Sequence, residues 1–230
     1  MDLEADLERV LWHELGHLFI DIIQCEELKN YSVDFMFVGY IDNAKGDNKW
    51  NGGVRIEPST KFEEIVKDFN LTSYAILSLM SGCIFETVFR VNNGNKEALF
   101  EKCFCMGPQC AGLMDSKQFY QLNIEFRKFY GYRVRYVEFI EKELNVIYFK
   151  KLQENNSFLS DVDSLSKKLK ATVLKSFYSS NSNFVYQFVG EELESIKKEI
   201  IVLLDKSNYR SIFKEILAII VSEISQSENS

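Results

Sequence analysis

The chain has 230 residues, a net charge of −7, and hydrophobic and charged fractions of 46% and 27%, which are ordinary for a globular protein. Its acidity and its lack of basic runs argue against nucleic acid as a partner. No uninterrupted apolar run approaches the roughly eighteen residues of a membrane helix, so we expect no membrane association. The acidic start, residues 1–6, is unlike a signal peptide, and we expect a cytoplasmic protein whose five cysteines are reduced.

The first predicted element is a helix over residues 2–24, in which apolar residues recur at helical spacing. It contains His13-Glu14-Leu15-Gly16-His17, which matches the zinc-protease pattern H-E-x-x-H. Residues four apart share one face of a helix, so both imidazoles can bind one metal ion, with Glu14 placed to act on a water molecule. Two surface histidines at a coincidental spacing are the alternative. The metal site is favoured because these are the only two histidines of the chain.

Two strands are expected after this helix. Residues 30–39 combine aromatic and β-branched side chains, and residues 54–57 form a short second strand that Pro58 ends. Between them, residues 42–53 are rich in asparagine and glycine and are predicted to be a turn region. A hairpin or small sheet beside the motif helix is the expected result.

The other predicted elements are helices. One starts at residue 59 or 60 and runs to 69, and the most hydrophobic one, 71–91, carries Glu86. Further helices are expected over the ranges 96–105, 115–130, 134–152, 163–177 and 191–224, with linkers at 155–160 and 179–183 and a break near 207–208. The predicted fold class is therefore mainly α with a small β-sheet (α+β): a zincin-like metal helix beside a short sheet, followed by a helical bundle.

A catalytic zinc site takes three protein ligands and leaves the fourth position to water. No third histidine exists, so the third ligand must be an acidic residue or a cysteine. The candidates are Glu86, Asp115 and the group Cys103, Cys105 and Cys110. The cysteines lack a fourth ligand and the usual C-x₂-C spacing, which favours ordinary thiols there.

Over residues 2–130 the chain resembles the peptidase domain of the FtsH family of zinc proteases. That family has a metal helix with H-E-x-G-H, a strand similar to residues 53–58, and a helix with a Gly and Glu pattern similar to residues 79–86. Its third ligand is an aspartate after a Gly-Ala-type turn that leads a helix, and residues 111–118 are similar to that segment. The resemblance therefore implies Asp115 as the third ligand, although Leu15 stands where the family usually has alanine.

The resemblance also implies an organisation and a set of partners. Residues 1–130 would be the zinc metallopeptidase core and residues 131–230 a helical part packed on it, as a separate or a continuous domain. The family's ATPase and membrane segments are not in this sequence. We therefore expect either a homo-oligomer or a separate ATPase or chaperone partner that delivers substrates.

The expected reaction is zinc-dependent hydrolysis of a peptide or protein substrate. His13, His17 and Asp115 would hold Zn²⁺, and Glu14 would be the general base that takes a proton from the metal-activated water. The edge of the strand near residues 54–57 would be available to pair with the substrate peptide.

Two other interpretations stay open from the sequence. H-E-L-G-H also occurs in ImmA/IrrE-like regulatory metallopeptidases, in which a downstream glutamate is the third ligand, and Glu86 would be its equivalent here. The protein could instead be a non-proteolytic, zinc-containing interaction module. An intact Glu14 favours an enzyme, since a structural zinc site needs no base.

Overall fold

The computed structural model describes residues 2–42, 49–94, 112–130, 136–180, 183–206 and 209–228. These residues form a mainly helical α+β fold with one small antiparallel sheet, which confirms the predicted fold class. The predicted helix 96–105 and the cysteine group Cys103, Cys105 and Cys110 lie outside the described residues.

Helix α1, Leu3–Leu28, is the central element of the fold. Helix α3 (Phe69–Asn92) packs on it, as do two strands of the sheet and helix α7 (Asn156–Phe177). Leu7, Leu11 and Leu15 on its predicted apolar side are fully buried. Because neighbours surround the helix, most of the arc that carries the histidines is buried as well. The helix continues past its predicted end at residue 24 and stops where Lys29 adopts a left-handed conformation, with φ 48°.

The sheet has the order β2-β1-β3, and both strand pairs are antiparallel. Strand β1, Ser32–Tyr40, agrees with the prediction, but β2, Trp50–Glu57, begins four residues earlier than the predicted 54–57. Gly52 and Gly53, which indicated a turn in the sequence, instead pair with β1. Their lack of side chains is required because an added Cβ would lie 2.7 Å from the side chain of Glu14 or 2.6 Å from the ring of Phe37.

The third strand, β3 (Phe184–Phe188), was not predicted, because the C-terminal part was expected to be helical almost throughout. It pairs with β1 from Met36↔Phe188 to Tyr40↔Phe184. Its first and last residues are buried and its second and fourth are exposed, as in a strand with one face on the core. Five residues of alternation are too short to stand out beside the long helical patterns around them.

Helix α3, Phe69–Asn92, agrees closely with the predicted 71–91. Asp68 caps it by accepting hydrogen bonds from the backbone N–H groups of Asn70 and Leu71. The helix predicted just before it is reduced to one turn, α2 (Phe62–Ile65). By length and composition, α3 is the one helix of the described residues that could cross a membrane. However, 78% of its most apolar window is buried in the protein, as in a core helix.

The remaining helices pack around α1 and α3. Helix α7 begins at Asn156, not at 163, so most of the predicted linker 155–160 is helical. The predicted break near 207–208 lies outside the described residues, between a helix that ends at Lys206 and one that begins at Tyr209. The segments after α3 are α4 (Leu113–Tyr130), α5 (Tyr136–Phe139), a π-helical turn (Ile140–Leu144), α6 (Asn145–Gln153), α7 (Asn156–Phe177), α8 (Gly190–Lys206) and α9 (Tyr209–Glu228).

Candidate metal centre

The side chains of His13 and His17 on α1 converge, with their Nε2 atoms close together. Their rings are 4.9 Å apart between centroids, and the Nε2 atoms of His13 and His17 are 3.1 Å apart. Both side chains are about one-eighth exposed, with 13% and 12% accessible surface. The four-residue spacing therefore produces the shared face that the sequence predicted.

Asp115, in the first turn of α4, lies opposite this pair. Its Oδ2 atom is 2.9 Å from Nε2 of His13 and 3.5 Å from Nε2 of His17. Donor atoms bound to one tetrahedral zinc ion at about 2.0–2.1 Å lie about 3.3 Å from one another, so all three separations fit such an ion. Among the residues that the structure describes, His13, His17 and Asp115 form the one group whose potential ligand atoms all lie within 4.8 Å of one another.

Glu86 contacts the opposite nitrogen of the His13 ring. Its Oε2 atom is 3.1 Å from Nδ1 of His13, whereas Nε2 faces Asp115. A carboxylate that accepts from Nδ1–H fixes the tautomer in which Nε2 carries the free lone pair, as in many histidine–metal sites. This position makes Glu86 an outer partner of His13 in the structure.

Two arginines hold the carboxylate of Glu86. Arg9 Nη1 donates to Oε1 at 2.9 Å, and Arg90 donates to the same oxygen through Nε at 2.8 Å. Burial would raise the pKa of Glu86, but the hydrogen bond with His13 and the charge of Arg9 outweigh it and lower the pKa to about 2. Glu86 is therefore an anion that can accept a hydrogen bond from His13 at any ordinary pH.

Three carboxylates give the centre a negative field. Burial lowers the pKa values of His13 and His17, but Asp115 and the neighbouring glutamates outweigh it and raise both. For Asp115 the signs are opposite: burial raises its pKa, but the two imidazoles outweigh burial and hold the pKa below its usual range. A field that favours protons on two imidazoles also favours a bound cation.

Glu14 lies beside the converging donors and is 4% exposed. Its side chain packs on Gly52 of β2, where a Cβ would approach Oε1 to 2.8 Å. Burial raises the pKa of Glu14, and the charges of His13 and His17 only partly oppose it. A raised carboxyl pKa suits a group that must take up a proton and release it again.

Three glycines allow these side chains to approach. Gly16 of α1 touches the backbone of Ser81 in α3, and Gly82 lies against both imidazoles. At Gly112, just before α4, a Cβ would overlap Asp115 and the thiol of Cys83. Gly16 is part of the motif, and Gly82 and Gly112 lie in the segments 79–86 and 111–118 that resemble the FtsH family, but the sequence did not indicate that Gly82 faces the imidazoles or that Gly112 faces Asp115.

A thiol also lies beside the proposed third ligand. Cys83 Sγ is 3.6 Å from Oδ2 of Asp115 and 3.9 Å from the carbonyl oxygen of Gly112. The cysteines predicted as candidate ligands are three others, which lie outside the described residues, and Cys83 is not among them. Nothing in the local sequence of α3 indicates this contact, because it forms across 32 residues of chain.

The centre opens into a cleft of about 570 Å³. Residues of β2, of the histidine face of α1, of α3 and of the start of α4 line it. Strand β2 is at the edge of the sheet, so it pairs with β1 on one side only among the described strands. Apolar side chains also line the cleft; they include Ile56, Phe62, Ile65, Leu71 and Ala75.

Comparisons of the chain with protein families, with curated proteins and with solved structures find no match.

Proposed function

We propose that the protein is a zinc-dependent peptidase with an FtsH-like catalytic centre, in which His13, His17 and Asp115 hold the ion. The observation that carries this proposal is the convergence of two Nε2 atoms and one carboxylate oxygen beside a buried glutamate. The donor set of two imidazoles and one carboxylate is the kind that catalytic zinc uses, with a fourth position left for water. His13, His17, Asp115 and Glu14 all line the cleft, which would give a substrate access to the bound ion.

When bound, zinc supplies a water molecule of lowered pKa and a Lewis acid for the scissile carbonyl group. Glu14 acts as the general base: one carboxylate oxygen accepts a proton from the attacking water and later gives it to the amine that leaves. Glu86 keeps Nδ1 of His13 hydrogen-bonded, so that Nε2 stays available to the ion.

The substrate in this proposal is a peptide or an extended protein segment. Strand β2 is at the edge of the sheet and lines the cleft beside Glu14, and backbone groups at a strand edge bind an extended chain by adding it to the sheet. Side chains of the substrate would then alternate between the cleft and solvent.

Replacing Glu14 by glutamine tests the proposal. We expect Glu14→Gln to bind one equivalent of zinc and to fold like the wild type, but to hydrolyse casein or a peptide library at least about 100-fold more slowly, because a general base typically contributes 10²–10⁴-fold. Glu8→Gln is the matched control, since Glu8 is on the same helix and similarly buried but pairs with Lys170. Wild-type protein without stoichiometric metal, or equal hydrolysis by Glu14→Gln, would reject a peptidase.

A second pair of variants separates the two possible acidic ligands. If Asp115 binds the ion, Asp115→Ala should weaken zinc affinity more than Glu86→Ala does. Glu86→Ala removes only an outer partner of His13 and should lower zinc affinity about 10–100-fold. The reverse order would support the ImmA/IrrE-like arrangement with Glu86 as the ligand. Zinc binding without any hydrolysis by the wild type would support the non-proteolytic interaction module.

A further inference from the structure

A buried chain of charged side chains connects His13 to the first residues of β2. Its members are Asp6 and Arg9 on α1 and Glu86 on α3, whose side chains are 1%, 8% and 1% exposed. The pattern H-E-x-x-H does not include them, and the reaction described above uses only Glu86.

Each link of this chain is a hydrogen bond of ordinary length. Arg9 donates from Nη1 to Oε1 of Glu86 at 2.9 Å and from Nε to Oδ1 of Asp6 at 3.0 Å. The other oxygen of Asp6 accepts from the backbone N–H groups of Lys49 and Trp50, at 2.7 and 3.0 Å. Arg9 therefore stands between two carboxylates, of which one holds the His13 ring and the other holds the start of β2.

This arrangement is a costly way to stabilise a core. Removing charged groups from water is energetically unfavourable, and a well-packed apolar cluster often gives equal or greater stability. What the arrangement provides is a fixed orientation of the two carboxylates, because the guanidinium group of Arg9 is planar and presents its donors in a fixed fork. The residues that follow Trp50 in β2 include Gly52, on which Glu14 packs. These hydrogen bonds thus hold the His13 ring and strand β2, on which Glu14 packs, in fixed positions relative to α1.

We propose that Arg9 is a positioning residue of the active centre, which sets the His13 ring through Glu86 and the substrate-binding edge of β2 through Asp6. This inference rests on the proposed peptidase function. It assigns two separable effects to one side chain: an effect on zinc affinity by way of Glu86 and an effect on substrate binding by way of Asp6.

The test compares zinc affinity, the absorption spectrum of the Co²⁺-substituted protein, and KM and kcat in four variants. Arg9→Met should weaken zinc affinity about 10–100-fold, as is typical for loss of an outer partner, shift the Co²⁺ spectrum and raise KM. Asp6→Asn should raise KM with a smaller change in zinc affinity. Compared with Arg9→Met, Arg9→Lys should restore only part of the zinc affinity and only part of the substrate binding, because an ammonium group lacks the planar fork that spans two carboxylates.

Lys170→Met is the matched control. Lys170 pairs with Glu8, the neighbour of Arg9 in α1, so this variant also loses a partly buried ion pair to that helix. We expect it to lose stability while keeping the zinc affinity, Co²⁺ spectrum and KM of the wild type.

The outcomes separate this inference from the proposed function. A folded Arg9→Met protein with wild-type zinc affinity and Co²⁺ spectrum would show that Arg9 is only structural, and would leave the peptidase proposal intact. Wild-type protein that binds no zinc would overturn both. If Arg9→Met does not fold, Arg9→Lys and Asp6→Asn decide: weakened zinc affinity in the first and raised KM in the second support the inference, and wild-type values in both overturn it.

Discussion

Gly16 in α1 lies directly on the carbonyl group of Ser81 in α3, so closely that a Cβ at position 16 would be 2.4 Å from the carbonyl oxygen. The two helices therefore approach with no side chain between them at this point. This contact lies one residue before His17 and one residue before Gly82, and it brings α3 within hydrogen-bonding reach of the histidine face. The glycine of the motif is thus a requirement of helix packing.

The first prediction concerns this packing contact. Gly16→Ala should lower the free energy of unfolding by about 1–3 kcal/mol, because the new methyl group meets backbone atoms that cannot rotate away. The loss should appear even though alanine is about 1 kcal/mol more favourable than glycine inside a helix. Urea unfolding monitored by circular dichroism measures it. A variant as stable as the wild type would show that the helices separate without cost.

A second prediction concerns the neighbouring glycine, which should act on the metal and not on the fold. A Cβ at position 82 would lie 2.4 Å from Nε2 of His17 and 2.9 Å from Nε2 of His13, and imidazoles can move where a backbone cannot. Gly82→Ala should therefore weaken zinc affinity by more than about tenfold, since ligand distances must stay within about 0.2 Å of their preferred values. Competition with a chromophoric chelator gives the affinity, with Gly16→Ala as the comparison variant. Unchanged affinity in folded Gly82→Ala would contradict the position assigned to the ion.

The third prediction concerns the general base. Gly52→Ala would place a methyl group 2.7 Å from the side chain of Glu14, so we expect kcat to fall up to about 100-fold while zinc affinity is kept, as expected when a catalytic group is displaced by about 1 Å. Gly53→Ala is the control in the same strand, because its methyl group meets the ring of Phe37 instead. Steady-state kinetics on one peptide substrate measures both. Equal kcat in the two variants would argue against Glu14 as the base.

The fourth prediction concerns pH and lies away from the metal. The hydroxyl of Tyr74 donates to Oε2 of Glu27 at 2.6 Å; this bond lowers the pKa of Glu27 below its ordinary 4.5, and burial and the bond together raise that of Tyr74 above its ordinary 10.0. The contribution of the Tyr74–Glu27 hydrogen bond to the stability of the fold is therefore complete between about pH 4.5 and 10. It is lost as pH falls through the folded pKa of Glu27 or rises through that of Tyr74.

Tyr74→Phe should remove this contribution. We expect it to be about 1 kcal/mol at neutral pH, a modest value because the Glu27 side chain is 41% exposed. Unfolding curves of both proteins at several pH values would show a stability difference that shrinks towards pH 3. A difference that is constant down to pH 3 would mean that lost packing, and not the hydrogen bond to a charged Glu27, is responsible.

Much of the centre could be predicted from local sequence. The spacing of His13 and His17 placed them on one helix face, and the hydrophobic run around Glu86 predicted α3 within two residues. Asp115 was named through the family resemblance, and the structure brings it to the two imidazoles. These features depend on periodicity or on a short motif, which a single sequence displays.

The features that the sequence did not predict depend on distant contacts. Gly52 and Gly53 resemble a turn unless the side chain of Glu14 and the ring of Phe37 are known to fill the space above them. Arg9 and Asp6 look like ordinary helix charges, because their partners Glu86 and Trp50 lie far along the chain. Residue types and spacing carry no signal for such pairs.

Strand β3 has a consequence for how the protein is made. It pairs with β1 across roughly 150 residues of chain, so the outer edge of β1 stays uncovered by β3 until residues 184–188 have left the ribosome. Contacts of such long range form slowly, and an uncovered strand edge invites pairing with other chains. The sheet that contains the cleft-lining strand β2 is thus completed late in synthesis, long after the histidine helix has been made.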